Sequence, residues 1–436
     1  MGKSALVMLA VGAGMLCARA EATGSPVMYL ATWGAGGSGQ IGDGMMAGRS
    51  SPVTVGGAVS MVVVGAGSMH SLSARADGSA LAWGANGAGQ LGDGTVMGHL
   101  TPTSIPNLVG VAMVSAGDQF SLALLGDGTV RGWGANLSGQ LGDSTMIERH
   151  VPTPVQSLVN VGAIACGSSH TLALLFDGSV RAWGGNGSGQ LGDNSVMNRP
   201  TRVTVSGLAS VTVVACGGAH SLALLSDATV RAWGANGAGQ LGDASNMERH
   251  TPVTVTGLAN VVSIAAGGQH SLALIAGGSV QAWGANDTGQ LGDGSAMGRS
   301  TSAAVPGLAD IVQVAAASQS SYAMSADGRL WAWGRNLSGE LGVGDFAERR
   351  SPTEVTAPAN LRFERIAASA AGNHVVALVS CRADFNRSGT INVQDIFDFL
   401  TPWYLGSASA DYDRSGGVDL QDLVDFITAW LGPCPG

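Results

Sequence analysis

Ala232-Trp233-Gly234-Ala235-Asn236-Gly237-Ala238-Gly239-Gln240-Leu241-Gly242-Asp243 is the stretch on which the reading of this chain turns. Its Trp-Gly pair recurs at Trp33, Trp83, Trp133, Trp183, Trp233, Trp283 and Trp333, a spacing of 50 residues without drift. A period that long exceeds any helix or strand repeat, so each copy is a small supersecondary unit stacked on its neighbours. The Gly-Gln-Leu-Gly-Asp half returns at 89–93, 139–143, 189–193 and 289–293.

A second phrase, Gly-x-x-His-Ser-Leu-Ala-Leu, is complete at 217–224 and 267–274, with variants around His70, Phe120, His170, Ser320 and His374. Short alternating runs such as Val230-Arg231-Ala232-Trp233, bounded by Asp-Gly pairs at Asp77, Asp127, Asp177 and Asp327, read as hairpins. Seven glycine-rich strand-turn-strand units predict a β-propeller, a fold of about four to eight blades. An open solenoid is the competing arrangement, and the termini argue against it. The first unit starts at its Trp-Gly half (27–43) and the last ends at its His half (363–380), so the two halves make one blade. Pairing the first strand with the last also removes two sheet edges that an open stack leaves exposed. The expected fold class is all-β, a seven-bladed propeller with a split closing blade over 27–380, followed by a small α-helical domain over 381–436.

Together these phrases resemble the repeat of the regulator of chromosome condensation family. The resemblance covers 27–380 and implies a seven-bladed propeller with a split closing blade. It does not imply the nuclear member's nucleotide exchange on a small GTPase, nor its chromatin binding, and two features of the chain argue against both. Met1-Gly2-Lys3-Ser4, the apolar run 5–16 and the small-residue sites Ala18-Arg19-Ala20 and Ala20-Glu21-Ala22 read as a secretory signal peptide over 1–22. The chain is therefore expected to be secreted or extracellular, with Cys17 lost with the signal. The apolar run is shorter than the ~20 residues of a membrane span, and no later stretch replaces it. The formal net charge is −9 and Lys3 is the only lysine, so a basic footprint for nucleic acid is missing.

Arg49, Arg149, Arg199, Arg249, Arg299 and Arg349, with His99 in the remaining slot, follow the blade Asp and are read as partners of a nearby carboxylate or carbonyl that hold a loop. His70, His170, His220, His270 and His374 occupy equivalent slots, which Phe120 and Ser320 also fill. A catalytic or metal-bound histidine is needed once, so this repetition points to packing or hydrogen bonding. No catalytic residue is assigned. Glu340, with Asp345 displaced by an inserted Val343-Gly344, breaks the blade pattern and is the first place to seek an isolated carboxylate pair. Met97, Met146, Met197, Met247 and Met297 precede the arginine slot and either fill gaps or form a binding rim.

Composition changes at Cys381. Two loops follow, 27 residues apart: Asp384, Asn386, Ser388, Thr390, Asn392 and Asp395, then Asp411, Asp413, Ser415, Gly417, Asp419 and Asp422. Both place oxygen donors at loop positions 1, 3, 5, 9 and 12, a backbone carbonyl at 7 and a glycine at 6, the pattern that Ca2+ requires, so two calcium sites are expected. Helices are expected over 393–400 and 420–430, with apolar faces from Ile396, Phe397 and Phe399 and from Leu423, Val424 and Phe426. Such paired loop-helix units resemble a dockerin over 383–432. That resemblance implies calcium-dependent folding and docking to a cohesin-like or other cell-surface receptor. Ser388 and Ser415 stand where the family carries an acid, and Val393-Gln394 and Leu420-Gln421 where it carries a hydroxyl pair. Cys381 and Cys434 flank the module and are expected to staple its ends as a disulfide in an exported chain. Cys166 and Cys216, in consecutive blades, are either small buried residues or a bridge between blades.

The leading functional expectation is a secreted, non-catalytic propeller that binds a protein or glycan and is tethered through its dockerin-like tail. An enzyme or accessory subunit of extracellular polysaccharide degradation is the alternative, because dockerins usually carry such cargo. A third is an inhibitor resembling the exported propeller that blocks β-lactamases, for which Tyr322, Trp331 and Phe346 would supply an aromatic patch.

Overall fold

The structure, a computed structural model, describes residues 27–412, 417–432 and 434. The expected signal peptide (1–22, with Cys17) and the expected ligands Asp413 and Ser415 lie outside the described residues. Seven four-stranded antiparallel sheets stand around a central axis. Blades 1 to 6 span 61–104, 111–154, 161–204, 211–254, 261–304 and 311–355. Blade 7 is assembled from both ends of the chain. Leu361–Ala368 and His374–Cys381 form its inner half, and Met28–Gly34 and Arg49–Val59 its outer half. Met28 pairs with Ser380 and Gly34 with His374, in unbroken register between them. The ring closes as the split repeat requires.

Burial follows position in the blade. The second strand, such as His220–Leu225, is buried over its first five residues, because neighbouring blades cover both of its faces. Such a strand carries a continuous apolar run where a half-exposed one would alternate. The outermost strand, such as Arg199–Thr204, has no buried residue. The repeated Trp is fully buried in every blade and wedged against the blade before it. Trp233 Nε1 donates to the Gln190 carbonyl at 2.8 Å, and a Cβ on Gly192 would lie 2.9 Å from the same nitrogen. Trp33 makes the matching bond to the Glu340 carbonyl at 2.9 Å, so the seventh junction uses the contact that joins the other six.

Cys166 and Cys216 line the central channel among small residues and are free thiols. The bridging alternative is not formed; Cys216 Sγ lies 3.4 Å from the Ala165 carbonyl instead. Burial pushes the Cys166 thiol up to about 12.

The tail carries α1 (Val393–Tyr404) and α2 (Leu420–Leu431), which start at the expected residues. The expected end of the first helix falls short, since α1 continues through Pro402 to Tyr404. Asn392 and Asp419 are the N-caps, each closing a capping box with Asp395 or Asp422. The two units pack reciprocally. Phe399 stacks on Phe426 with ring centroids 4.2 Å apart. Trp403 Nε1 donates to the Asp419 carbonyl at 2.6 Å, and Trp430 Nε1 to the Asn392 carbonyl at 3.1 Å. Phe397 and Val424, expected on the packed faces, are exposed, because the contact follows Ile396, Phe399 and Trp403 at spacings of three and four and leaves their neighbours outside. Cys381 and Cys434 form the expected disulfide. Among the described residues no helix is long and apolar enough to cross a membrane.

Candidate functional site

The repeated motif residues build the loop that joins the third and fourth strands of each blade. In blade 1, Asn86 is its centre. Its Nδ2 donates to Asp93 Oδ1 (3.1 Å) and to the carbonyls of Thr95 (3.1 Å) and Met97 (3.0 Å), while its Oδ1 accepts from the Leu91 amide (2.9 Å). Gln90 Oε1 accepts from the Ala88 amide at 2.9 Å. Asp93 receives His99 Nε2 at 2.7 Å, and Asp143, Asp193 and Asp243 receive the Nε of Arg149, Arg199 and Arg249 at 2.7, 2.9 and 2.8 Å. Burial pushes the Asp143 carboxyl up, but bonds from Thr145, Arg149 and Asn136 hold it below the usual range. The arginines thus hold loops, as their repetition suggested. The asparagine hub was missed, although an Asn stands three residues after the Trp in six blades and that recurrence was its signal.

Blade 6 corrects one reading. There is no insertion: Asp345 occupies the slot of Thr95 and Ser295, where Asn336 Nδ2 reaches its carbonyl at 2.9 Å, and Val343 takes the usual Asp slot. Arg349 follows the displaced charge, bonding Asp345 Oδ2 at 2.5 Å. Glu340 is fully buried, accepts from the Ser338 amide as the equivalent glutamines do, and is paired with Arg335 at 2.6 Å. The two carboxylates are therefore committed to separate arginines. Tyr322 is buried, with its hydroxyl on the Glu340 carbonyl at 2.8 Å, while Phe346 is exposed, so they do not assemble one aromatic patch with Trp331.

The histidines form a relay between blades. His220 Nε2 meets Ser271 Oγ at 3.0 Å, and Ser271 donates to the Gln240 carbonyl at 2.9 Å, which also accepts Trp283 Nε1. Since the hydroxyl's one proton is spent on that carbonyl, the imidazole must be the donor at Nε2. Its Nδ1 is then a bare acceptor, and among the described residues the Nδ1 atoms of all five relay histidines have no hydrogen-bond partner. A proton there would be buried without an acceptor, and burial accordingly lowers His220 to about 3 and His270 to about 4. Where Val375 removes the hydroxyl, Ser320 replaces the histidine of the preceding blade, and Tyr322 supplies the bond to the carbonyl.

In the tail, the first loop folds over the N-terminus of α1. Asp384 accepts from the amides of Ser388 (2.8 Å) and Gly389 (2.9 Å), and Asp395 from those of Asn386 (3.2 Å) and Asn392 (2.9 Å). Asn386 Oδ1 takes the Ser388 amide, Ser388 Oγ reaches the Thr390 carbonyl at 3.1 Å, and Asn392 Oδ1 takes the Gln394 amide at 2.8 Å. All six expected donors thus sit in one loop. Burial, joined by the nearby Asp395 charge, holds the Asp384 carboxyl above its usual range. A carboxylate held up mainly by burial, beside the buried Asp395 and four neutral donors, suits a cation, so the residues present fit Ca2+. In the second loop Asp422 accepts from the amides of Tyr412 (2.5 Å) and Asp419 (2.7 Å), and Asp411 and Gly417 flank them. Among the described residues no three His, Cys, Asp or Glu side chains converge as metal ligands; the first loop brings two carboxylates and neutral donors.

The fold and its repeated loop define a closed seven-bladed propeller whose blades are joined by Trp wedges and His-Ser relays. Residues 29–377 match the RCC1-like domain, and the chain belongs to that family. Human WBSCR16 superposes with a TM-score of 0.74 at 22% identity, covering 81% of this chain and 99% of that one. Prp20p from Saccharomyces cerevisiae gives 0.74 at 24% identity, covering 86% and 94%. Yeast RCC1 (Prp20) in complex with Kap60 gives 0.73 at 22%, covering 87% and 93%. At these identities the likeness establishes the fold. No curated protein sequence matches the chain.

Proposed function

We propose that the chain is an exported, non-catalytic binding propeller, tethered to an extracellular or cell-surface assembly by calcium-dependent docking of its tail to a cohesin-like receptor. The observation that carries the tether is the duplicated loop-helix unit, in which each helix begins at a buried carboxylate and each indole bonds to the other unit's cap carbonyl. Calcium would be held by Asp384, Asn386, Ser388, the Thr390 carbonyl, Asn392 and Asp395 in one loop, and by Asp411, Asp413, Ser415, the Gly417 carbonyl, Asp419 and Asp422 in the other. Its charge would offset the buried carboxylates and fix the N-terminus of each helix.

Binding is favoured over catalysis because Glu340 and Asp345, the carboxylates on which a hydrolytic reading rested, are each ion-paired. On the face that carries the Asn loops, Met97, Met197, Met247 and Met297 are 64–76% exposed, which removes the gap-filling explanation and supports an adaptable contact rim. Yeast Prp20p binds Gsp1p, histones and Kap60, a use of this fold as a protein platform. The test is capture from extracellular and envelope fractions of the source organism, with and without calcium, beside the Asp395→Ala/Asp422→Ala variant. Capture of a cohesin-bearing protein only with calcium and intact loops is the expected result. Capture that ignores both overturns the tether.

A further inference from the structure

We propose that the mouth of the central channel is a binding site for the adjacent hydroxyls of a neutral saccharide. The inference rests on the reading of the propeller as a binding module and chooses between its two ligand classes. On the face of the Asn loops, the turns between first and second strands meet at the axis. Backbone bonds link them from blade to blade: Asp118 N to Ser168 O (3.2 Å), Ser168 N to Gly218 O (3.3 Å), Gly218 N to Gly268 O (3.2 Å), and Gly268 N to Ser318 O (3.0 Å). These turns border a cavity of about 440 Å³, within the range of ligand sites.

Its lining breaks the seven-fold pattern. Asp118 stands where other blades have Ser68, Ser168, Gly218, Gly268 or Ser318, and Asp287 where they have Gly87, Leu137, Gly187, Gly237 or Leu337. A scaffold role would be repeated, whereas a ligand contact is needed once. The repeated carboxylates are occupied by arginines or turn amides, as at Asp143 and Asp127. Asp118 and Asp287 make no side-chain hydrogen bond or ion pair among the described residues. Glycine leaves the floor as bare backbone, since a Cβ on Gly268 would meet the Ser318 carbonyl at 2.5 Å.

The donor set completes the argument. Gln290 is the glutamine that six blades share, so the scaffold sets its position; it lines the cavity, is 1% exposed and is counted only as an available donor. Its Oε1 accepts from the Thr288 amide (3.0 Å) and hydroxyl (2.8 Å), while its Nε2 has no partner among the described residues. Gln269 and Gln319 add carboxamides. The ligand must therefore donate to carboxylates and accept from amides within one small cavity, which a pair of sugar hydroxyls does. No arginine lines the cavity to take a phosphate, sulfate or uronate, and no aromatic or long apolar side chain to take a lipid or nucleobase.

Isothermal titration of the full mature chain in calcium would use cellotetraose, mannotetraose and xylotetraose, with tetragalacturonate as the anionic probe and spermidine as the cationic one. The expected result is binding of a neutral tetrasaccharide with Kd below about 1 mM. Asp118→Asn and Asp287→Asn, at side chains that hold no internal bond, should each weaken it at least about tenfold with Tm unchanged. Binding of spermidine alone, no neutral saccharide bound at that concentration, or equal binding by both variants overturns the site. Calcium-dependent capture through the tail is read in the same preparations, so failure of the saccharide site and failure of the tether are separate outcomes.

Discussion

Glu340 occupies the position that glutamine fills in six other blades, and it is ion-paired with Arg335, which stands where those blades carry alanine or glycine. Arg335→Ala would strand that charge and should cost about 3–5 kcal/mol in urea unfolding. Adding Glu340→Gln restores the arrangement of the other blades and should recover most of the loss; a double variant as unstable as the single one would contradict the pairing. The relay histidines give a pH dependence. Unfolded, they titrate near 6.5; folded, His70 and His220 are held at about 3 and His170, His270 and His374 at about 4. Between those values the unfolded chain binds more protons, so this contribution is complete above pH ~6.5 and declines as pH falls toward 4. His270→Phe, which places in blade 5 the side chain that blade 2 carries at Phe120, should flatten the slope of Tm against pH across that window. At pH 8 it should cost about 1 kcal/mol through the lost bond to Ser321. An unchanged slope would remove the histidines as its cause.

At the scale of the element, strands were legible because a 50-residue period aligns the chain with itself and shows which slots alternate and which are apolar throughout. The same alignment, carried through blade 6, leaves no room for an insertion and puts Asp345 in the slot of Ser295. Helix faces were harder. Ile396 and Phe397 are adjacent and both apolar, and only packing against the second unit decides that Ile396 turns inward. The channel mouth was not legible at all, since Asp118 and Asp287 come from blades 2 and 5 and line one cavity only through ring geometry. If the tail loops hold calcium as proposed, chelation should unfold 383–432 while the propeller persists. Near-ultraviolet circular dichroism of the full chain should lose the tail's aromatic signal with EGTA, and Asp395→Ala with Asp422→Ala should reproduce that loss in calcium. A spectrum indifferent to both would refute calcium-coupled folding.

For the molecule as a whole, closure through Met28–Gly34 is the contact that turns a stack into a ring. Deleting 27–34 should leave His374–Cys381 with an open edge and Gly342 without Trp33, and size-exclusion chromatography should show aggregates where the parent elutes as one species. The order of synthesis gives the same strand a further consequence. It is made before the other propeller strands and its partner after them, so six blades can form from local hairpins while the ring is still open at both ends. Two nascent copies at that stage each display the edge that the other lacks. The characteristic misassembly of this protein should therefore be a reciprocal exchange, in which the leading strand of one chain completes the ring of its neighbour.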